Sequence, residues 1–464
     1  MSNKTVFPYM PNSVPEMKET LLKEIGIDSV EDIYKEIPEH LRFKEKMDIP
    51  APILSEYELK KHVESILEKN ISCSKYLSFL GAGTWQHYVP SVVDTIVSRD
   101  EFLTAYVGDL YGDHGKGQAL FETSSMVGEL VDMDVVSTPT YDWGNAIGIS
   151  FRMAARMTGR KEILVAETMS PSRFAVAENY CRPDLTLKKI PFDPQSGLMD
   201  LHYLKQALSK DTAAVYIENP SYLGFVELQG KEIASLAHQF GAEMIVGVDP
   251  SSLGVLTPPG QYGADIVCGE LQPFGNHMQW GGGLSGFIAS KDEEKYVAEY
   301  PTLMFGITTT QKEGEYGFGD VFFERTSYAV REKGKDFVGT TTALYGIAAG
   351  VYLALLGPHG MRELGEGIMQ RSTYLAKQLA KLPGVKAPVL QNAHFKELIV
   401  NFDDTGKTVA EINKSLLQYE IFGGKDLSEE FPQFGQSALF CVTEIHTQAD
   451  IEKLAHALKD ILEA

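Results

Sequence analysis

Between residues 130 and 290 one pattern recurs: a short β-branched, apolar run followed by a stretch with helical spacing. The runs are EILVAE (162–167), LTLKKIPF (185–192), AAVYIENP (213–220), EMIVGVDP (243–250), ADIVCGE (264–270) and LSGFIAS (284–290). Helical spacing fills several gaps, as from Asp200 to Ser209 and from Gly230 to Phe240. A strand apolar on both faces must be covered on both faces. The pattern therefore predicts βαβ units, an α/β class and a large, mostly parallel sheet. Ligands of such sheets gather at the carboxyl ends of the strands. Here those ends carry Glu218–Asn219–Pro220, Asp249–Pro250–Ser251–Ser252 and Glu270–Leu271–Gln272.

The flanks read differently. Residues 1–70 are charged and broken by prolines, with apolar residues at helical spacing in 21–43 and after Ser55, which predicts a helical arm packing on something larger. Residues 71–340 form the large domain, in which 291–340 are polar and glycine-rich and read as a long loop excursion. A buried helix at 343–357, a helix from Gly360 to Lys381 and alternating runs at 395–402 and 437–445 predict a small C-terminal α/β domain over 341–464. The apolar run 343–357 is shorter than the ~20 residues of a membrane span, and no secretory leader is read at the start. With 63 acidic and 42 basic residues the net charge is −21, which argues against nucleic acid or an anionic membrane as partner. Cys73, Cys181, Cys268 and Cys441 form no disulfide framework or zinc spacing, and a reducing cytoplasm is predicted.

Few local motifs speak for chemistry. GDHGKGQ (112–118) lacks the glycine and hydroxyl spacing of a P-loop, leaving Lys116 as a solvated loop charge. No histidine spacing supports a metal. TPTYDWGNAIG (138–148) runs a polar turn into a helix with small residues. Its N–H groups suit a phosphate, or Asp142 simply caps the helix and Gly144 permits tight packing. Asp249, at a strand end, suits either a cofactor's protonated ring nitrogen or an Asx turn into Pro250. His87 in FLGAGTWQHYVP (79–90) reads more readily as a hydrogen-bonded structural histidine than as a catalyst.

Longer segments are more specific. YMPN (9–12), LSEYEL (54–59), FLGAGTWQHYVPSVV (79–93), QALFETSSMVGEL (118–130), TYDWGNA (140–146), VYIENPSYLG (215–224), GADIVCGELQPFGNHMQWGGGLSGF (263–287), ALLGPHGMREL (354–364) and LFCVTEIHTQADIEKLAHAL (439–458) resemble the glycine cleavage system P-protein, specifically subunit 1 (alpha) of its split form. The resemblance implies an aspartate aminotransferase-like fold (pyridoxal phosphate-dependent transferase fold type I). It also implies a role in decarboxylating glycine and passing the aminomethyl group to lipoyl H-protein. Fold enzymes of this kind carry a Schiff-base lysine in the segment matching Gly263–Gly283, yet that segment holds no lysine and Gln272 stands about where the amine belongs. The resemblance thus implies that pyridoxal phosphate is bound covalently by subunit 2 (beta) of an α2β2 assembly, this chain alone being inactive. Tyr141, Asp142, Gly144, Asn219, Asp249 and Gln272 would mark a vestigial cofactor pocket. His87, Tyr106, Arg331, Glu332 and Lys333 would face the partner's site. Residues 107–113 and 334–342 depart from the family pattern, which keeps open a scaffold paralogue with another partner or amine substrate.

Overall fold

The computed structural model describes residues 6–7, 9–45, 47–103, 114–279 and 284–464, in two units, Met1–Ile71 and Ser72–Ala464. In the first unit, helices Pro15–Ile25 and Glu56–Leu67 are the longest elements, and none of its described residues is buried.

The second unit is built on seven strands: β1 (Val135–Val136), β2 (Glu162–Ala166), β3 (Thr186–Ile190), β4 (Thr212–Glu218), β5 (Glu243–Val248), β6 (Ile266–Glu270) and β7 (Gly286–Ser290). They lie in the order β1-β7-β6-β5-β4-β2-β3, with β7 antiparallel to both neighbours and the remaining pairs parallel. Alternation along each strand feeds two cores. Ile163 and Val165 of β2 join Ile147, Phe151 and Ala154 of α2 (Trp143–Thr158) on one face. Leu164 and Ala166 join the opposite core with Val127 of α1 (His114–Val131) and Ala348 and Leu353 of α4 (Ala343–Leu379). α3 (Pro171–Cys181) packs along α2. Burial on both faces is why these strands carry no polar alternation.

A second sheet, β8 (Glu397–Asn401), β9 (Lys425–Asp426) and β10 (Ser437–Cys441), is antiparallel in the order β8-β10-β9. It buries Leu398, Val400 and Phe440 with Leu454 and Leu458 of α5 (Gln448–Glu463), whose start is fixed by a Thr447–Asp450 capping box.

Two readings of the sequence change. The two helices anticipated at 343–357 and 360–381 stand: the backbone leaves helical geometry at Gly357 (φ 60, ψ −176), just before Pro358, so α4 is two helical segments meeting at a kink. By length and composition this helix could cross a membrane, but its apolar face, including Gly346, Ile347 and Leu353, is packed in the protein interior. The stretch 291–340 contains a hairpin, Phe305–Thr309 against Tyr316–Asp320, closed by the Thr310 N–H to the Glu315 carbonyl (3.1 Å) with Gly314 at φ 80. Its glycines conceal the alternation. Lys116 is no loop charge: it lies in the first turn of α1 and is buried, because the neighbouring glycines belong to the helix, and Gly117 lies against Phe305.

Helix α4 approaches α1 so closely that a Cβ on Gly350 would lie 2.1 Å from Thr123 Oγ1. Gly350→Val should therefore destabilise the chain by ~1–3 kcal/mol through overpacking. Thermal unfolding should show a lowered midpoint, whereas Gly115→Ala, which meets no atom within 4 Å, should leave it unchanged or slightly raised.

Candidate functional site

The carboxyl ends of β4, β5 and β6 meet the start of β8. Gly224 makes this approach possible. At φ 88 it donates no side chain to the loop after β4, and a Cβ there would sit 2.0 Å from the Glu397 carbonyl oxygen. The Phe395 N–H donates to the Gly224 carbonyl (3.1 Å), which sets the next residue, Lys396, over the end of β5.

Lys396 is 2 % exposed and its Nζ lies 2.7 Å from Asp249 Oδ2. Asp249 Oδ1 accepts from the Ser251 N–H (3.1 Å) and hydroxyl (2.7 Å), so the carboxylate is saturated. The ammonium also stands 4.2 Å from the Trp85 ring centroid and donates to His87 Nε2 (2.9 Å). A lysine has only donors, so Nε2 accepts and the other ring nitrogen, Nδ1, donates to Glu444 Oε2 (2.7 Å). Burial pushes the Glu444 carboxyl up, but the donors His87 Nδ1 and the Tyr88 N–H (2.7 Å) pull the other way and hold it below the ordinary range.

A second buried pair lies alongside. Arg173 of α3 grips Glu218 with two bonds of 2.8 Å and stacks 3.9 Å from the Trp143 ring centroid. Burial works against the guanidinium charge, yet Glu218 keeps it firmly ionised. The space left among Trp85, Trp143, Arg173, Tyr222, Asp249 and Lys396 is about 10 Å³, room for roughly one water. The Nε1 donors of Trp85 and Trp143 are buried and meet no hydrogen-bond partner among the described residues.

Pyridoxal phosphate does not fit this pocket. The carboxylate that would hold its ring nitrogen is neutralised by Lys396, and the remaining volume is far smaller than a pyridine ring. Gln272 supplies no amine. It is fully buried and clamps the Trp85 backbone, accepting its N–H (3.1 Å) and donating to its carbonyl (2.9 Å). The helix start that could hold a phosphate is likewise taken. Asp142 caps α2 through the Asn145 N–H (2.6 Å), and Glu270 Oε2 accepts the Trp143 N–H (3.2 Å).

The remaining residues singled out from the sequence scatter. Gly144 serves packing, since a Cβ there would meet Val176 at 3.2 Å. Tyr141 is 41 % exposed. The Asn219 side chain is bonded to the Glu227 main chain, Oδ1 accepting the Glu227 N–H (3.1 Å) and Nδ2 donating to the Glu227 carbonyl (3.2 Å). His87 is buried, with both ring nitrogens engaged inside the chain by Glu444 and Lys396. Arg331, Glu332 and Lys333 are exposed and lie outside the pocket. Tyr106 and residues 107–113 lie outside the described residues. The other departing stretch, 334–342, is tied to α2 through Asp336, which pairs with Arg152 (2.7 Å) and Arg156 (2.6 Å).

Lys396, Arg173, Glu397 and Glu444 escaped the sequence reading. For Lys396 a signal existed: FKELIVNF places a lysine and a glutamate side by side in a run otherwise apolar up to its final Asn–Phe.

Two predictions follow from these charges. Lys396→Met leaves Asp249 buried and unpaired, which should cost ~3–5 kcal/mol. Adding Asp249→Leu should restore most of that in the same unfolding measurement. The second concerns pH. Burial raises Glu397 to about 7, against the opposing pull of the Ala82 N–H (2.5 Å), and raises Glu270 likewise to about 7. Between the ordinary carboxyl range and pH 7 the folded chain holds protons that the unfolded chain has released. The stabilisation is thus complete below about pH 4.5 and lost as pH rises through 7. Glu397→Gln, which mimics the protonated form, should flatten the fall of the unfolding midpoint between pH 5 and 8. Glu444, held below the ordinary range, acts in the opposite sense: its contribution is present above that range and lost as pH falls below it.

Comparison with known proteins places this arrangement. Residues 8–458 match the family model for the glycine cleavage system P-protein. A relative from Staphylothermus marinus, called a probable glycine dehydrogenase (decarboxylating) subunit 1, is 36 % identical over 468 residues, covering 98 % of each chain. A crystal structure of glycine decarboxylase (P-protein) of the glycine cleavage system, in inhibitor-bound form, superposes with a TM-score of 0.84 at 30 % identity, over 98 % of this chain and 100 % of that one. A sphingosine-1-phosphate lyase from Burkholderia pseudomallei shares the fold alone, at a TM-score of 0.64 and 14 % identity over 92 % of this chain and 95 % of that one. The architecture is that of the fold type I pyridoxal-dependent transferases. The chain belongs to the glycine cleavage system P-protein family.

Proposed function

We propose that this chain is the non-catalytic half of a two-subunit glycine decarboxylase, working in the cytoplasm as an α2β2 assembly. Subunit 2 holds pyridoxal phosphate on its own lysine, where the ring acts as the sink for electrons released with CO2. The aminomethyl group then passes to the lipoyl arm of H-protein. The observation that carries this reading is the Asp249–Lys396 pair, which occupies with a side chain of this protein the position a cofactor ring would need. A chain that neutralises its own strand-end carboxylate has no requirement for a cofactor there, so the chemistry belongs to another chain. In this reading the exposed Arg331, Glu332 and Lys333 are the residues placed to face the partner's site.

Mixing the chain with subunit 2, H-protein, pyridoxal phosphate and glycine should give exchange of the glycine carboxyl group with labelled bicarbonate. The chain alone should give none, and borohydride should reduce no pyridoxyl adduct onto it. Absence of exchange from subunits shown to assemble would overturn the reading, as would a reduced lysyl adduct on this chain.

A further inference from the structure

Helix α2 begins sealed and ends charged. Its last turns and the residues beyond them read RMAARMTGRK (152–161). Arg152 and Arg156 share one side of the helix, Gly159 ends it at φ 68, and Arg160 and Lys161 lead into β2. These four cations, with Asp184 and Leu185, line an open cleft of about 330 Å³. The cleft lies at the amino-terminal edge of the central sheet. Arg160 Nη1 donates to the carbonyls of Thr212, the first residue of β4, and of Phe240, which precedes β5 (both 2.8 Å), while Asp184 and Leu185 precede β3. Asp249 stands at the opposite, carboxyl edge, so the buried relay makes no use of this cleft.

The chain does not neutralise these charges itself. Arg152 pairs with Asp336 (2.7 Å) and Asp184 (3.6 Å), Arg156 with Glu299 and Asp336 (both 2.6 Å), and Glu299 is shared with Lys335. Counting the groups that line the cleft and those paired to them, five cations (Arg152, Arg156, Arg160, Lys161 and Lys335) stand against three carboxylates (Asp184, Asp336 and Glu299), an excess of two. The carboxyl end of α2 favours cations, but its partial charge of roughly −0.5 does not balance that excess. The donors are also incompletely used. Arg156 Nη2 is buried and meets no hydrogen-bond partner among the described residues, and Lys161 is exposed and makes no ion pair among them. A guanidinium donor left without an acceptor is costly, and an oxyanion seated against Arg156 supplies one.

We infer that this cleft binds a small phosphate-bearing anion. Planar guanidinium forks suit phosphate oxygens, and a phosphate monoester carries about −1.5 to −2 at pH 7, the charge the excess of two calls for. The volume falls at the lower end of the ~300–1,000 Å³ of small-molecule sites, which leaves room for a short organic group on the phosphate. A net charge of −21 repels anions at long range, so capture here depends on the local donors.

The test titrates the full-length chain with inorganic phosphate by calorimetry, ionic strength being held constant with chloride. Saturable binding of one phosphate per chain is expected. Lys161→Glu should weaken it at least ~10-fold by reversing a charge at the cleft, as should Arg160→Gln, whose amide still reaches a main-chain carbonyl. Lys453→Glu, on the exposed side of α5, makes the same change in overall charge and should leave the affinity as in wild type. The unfolding midpoint of Lys161→Glu should equal that of the wild-type chain, which keeps the reading independent of any loss of stability in Arg160→Gln. Tighter binding of glycerol 3-phosphate than of phosphate would make the occupant an ester, and equal binding would make it phosphate itself. Heat no greater than that from chloride, or equal weakening by Lys453→Glu and Lys161→Glu, would overturn the site.

Discussion

Burying a carboxylate at the end of a parallel strand costs several kcal/mol unless a charge meets it there. At Asp249 that charge is Lys396, 2.7 Å away and brought in just before the strand that opens the second sheet. The ammonium is itself expensive to bury, and it is compensated three ways: by Asp249, by the Trp85 ring and by His87. His87 is in turn fixed by Glu444, three residues beyond β10. The relay Asp249–Lys396–His87–Glu444 therefore ties the central sheet to the three-stranded one. Removing any member strands a charge or a donor in a low-dielectric interior, which makes the ensemble cooperative.

The same relay explains why the pocket is closed. A cofactor site must keep a carboxylate unpaired, a volume vacant and a helix N-terminus free for an anion. Here each of those is consumed by the chain itself. Lys396 takes the carboxylate, Arg173 and the two tryptophans fill the space, and Asp142 and Glu270 take the first N–H groups of α2. Gln272 completes the exchange: in place of a reactive amine it offers an amide whose two ends lock the Trp85 backbone. A single lysine placed at position 272 would lose that clamp and still face a paired carboxylate and a filled space.

The sheet was legible in the sequence because burial on both faces leaves uninterrupted runs such as AAVYIENP, and β4 occupies Thr212–Glu218 within one residue of that run's start. The missing lysine was legible because absence of a residue type needs no geometry. What could not be read was pairing at long range. Asp249 and Lys396 are 147 positions apart, His87 and Glu444 are 357 apart, and nothing local in either pair announces the other. The hairpin at 305–320 was hidden for a different reason. Its glycines, at 306, 317 and 319, suit a strand only when a partner strand and a helix already lie against it.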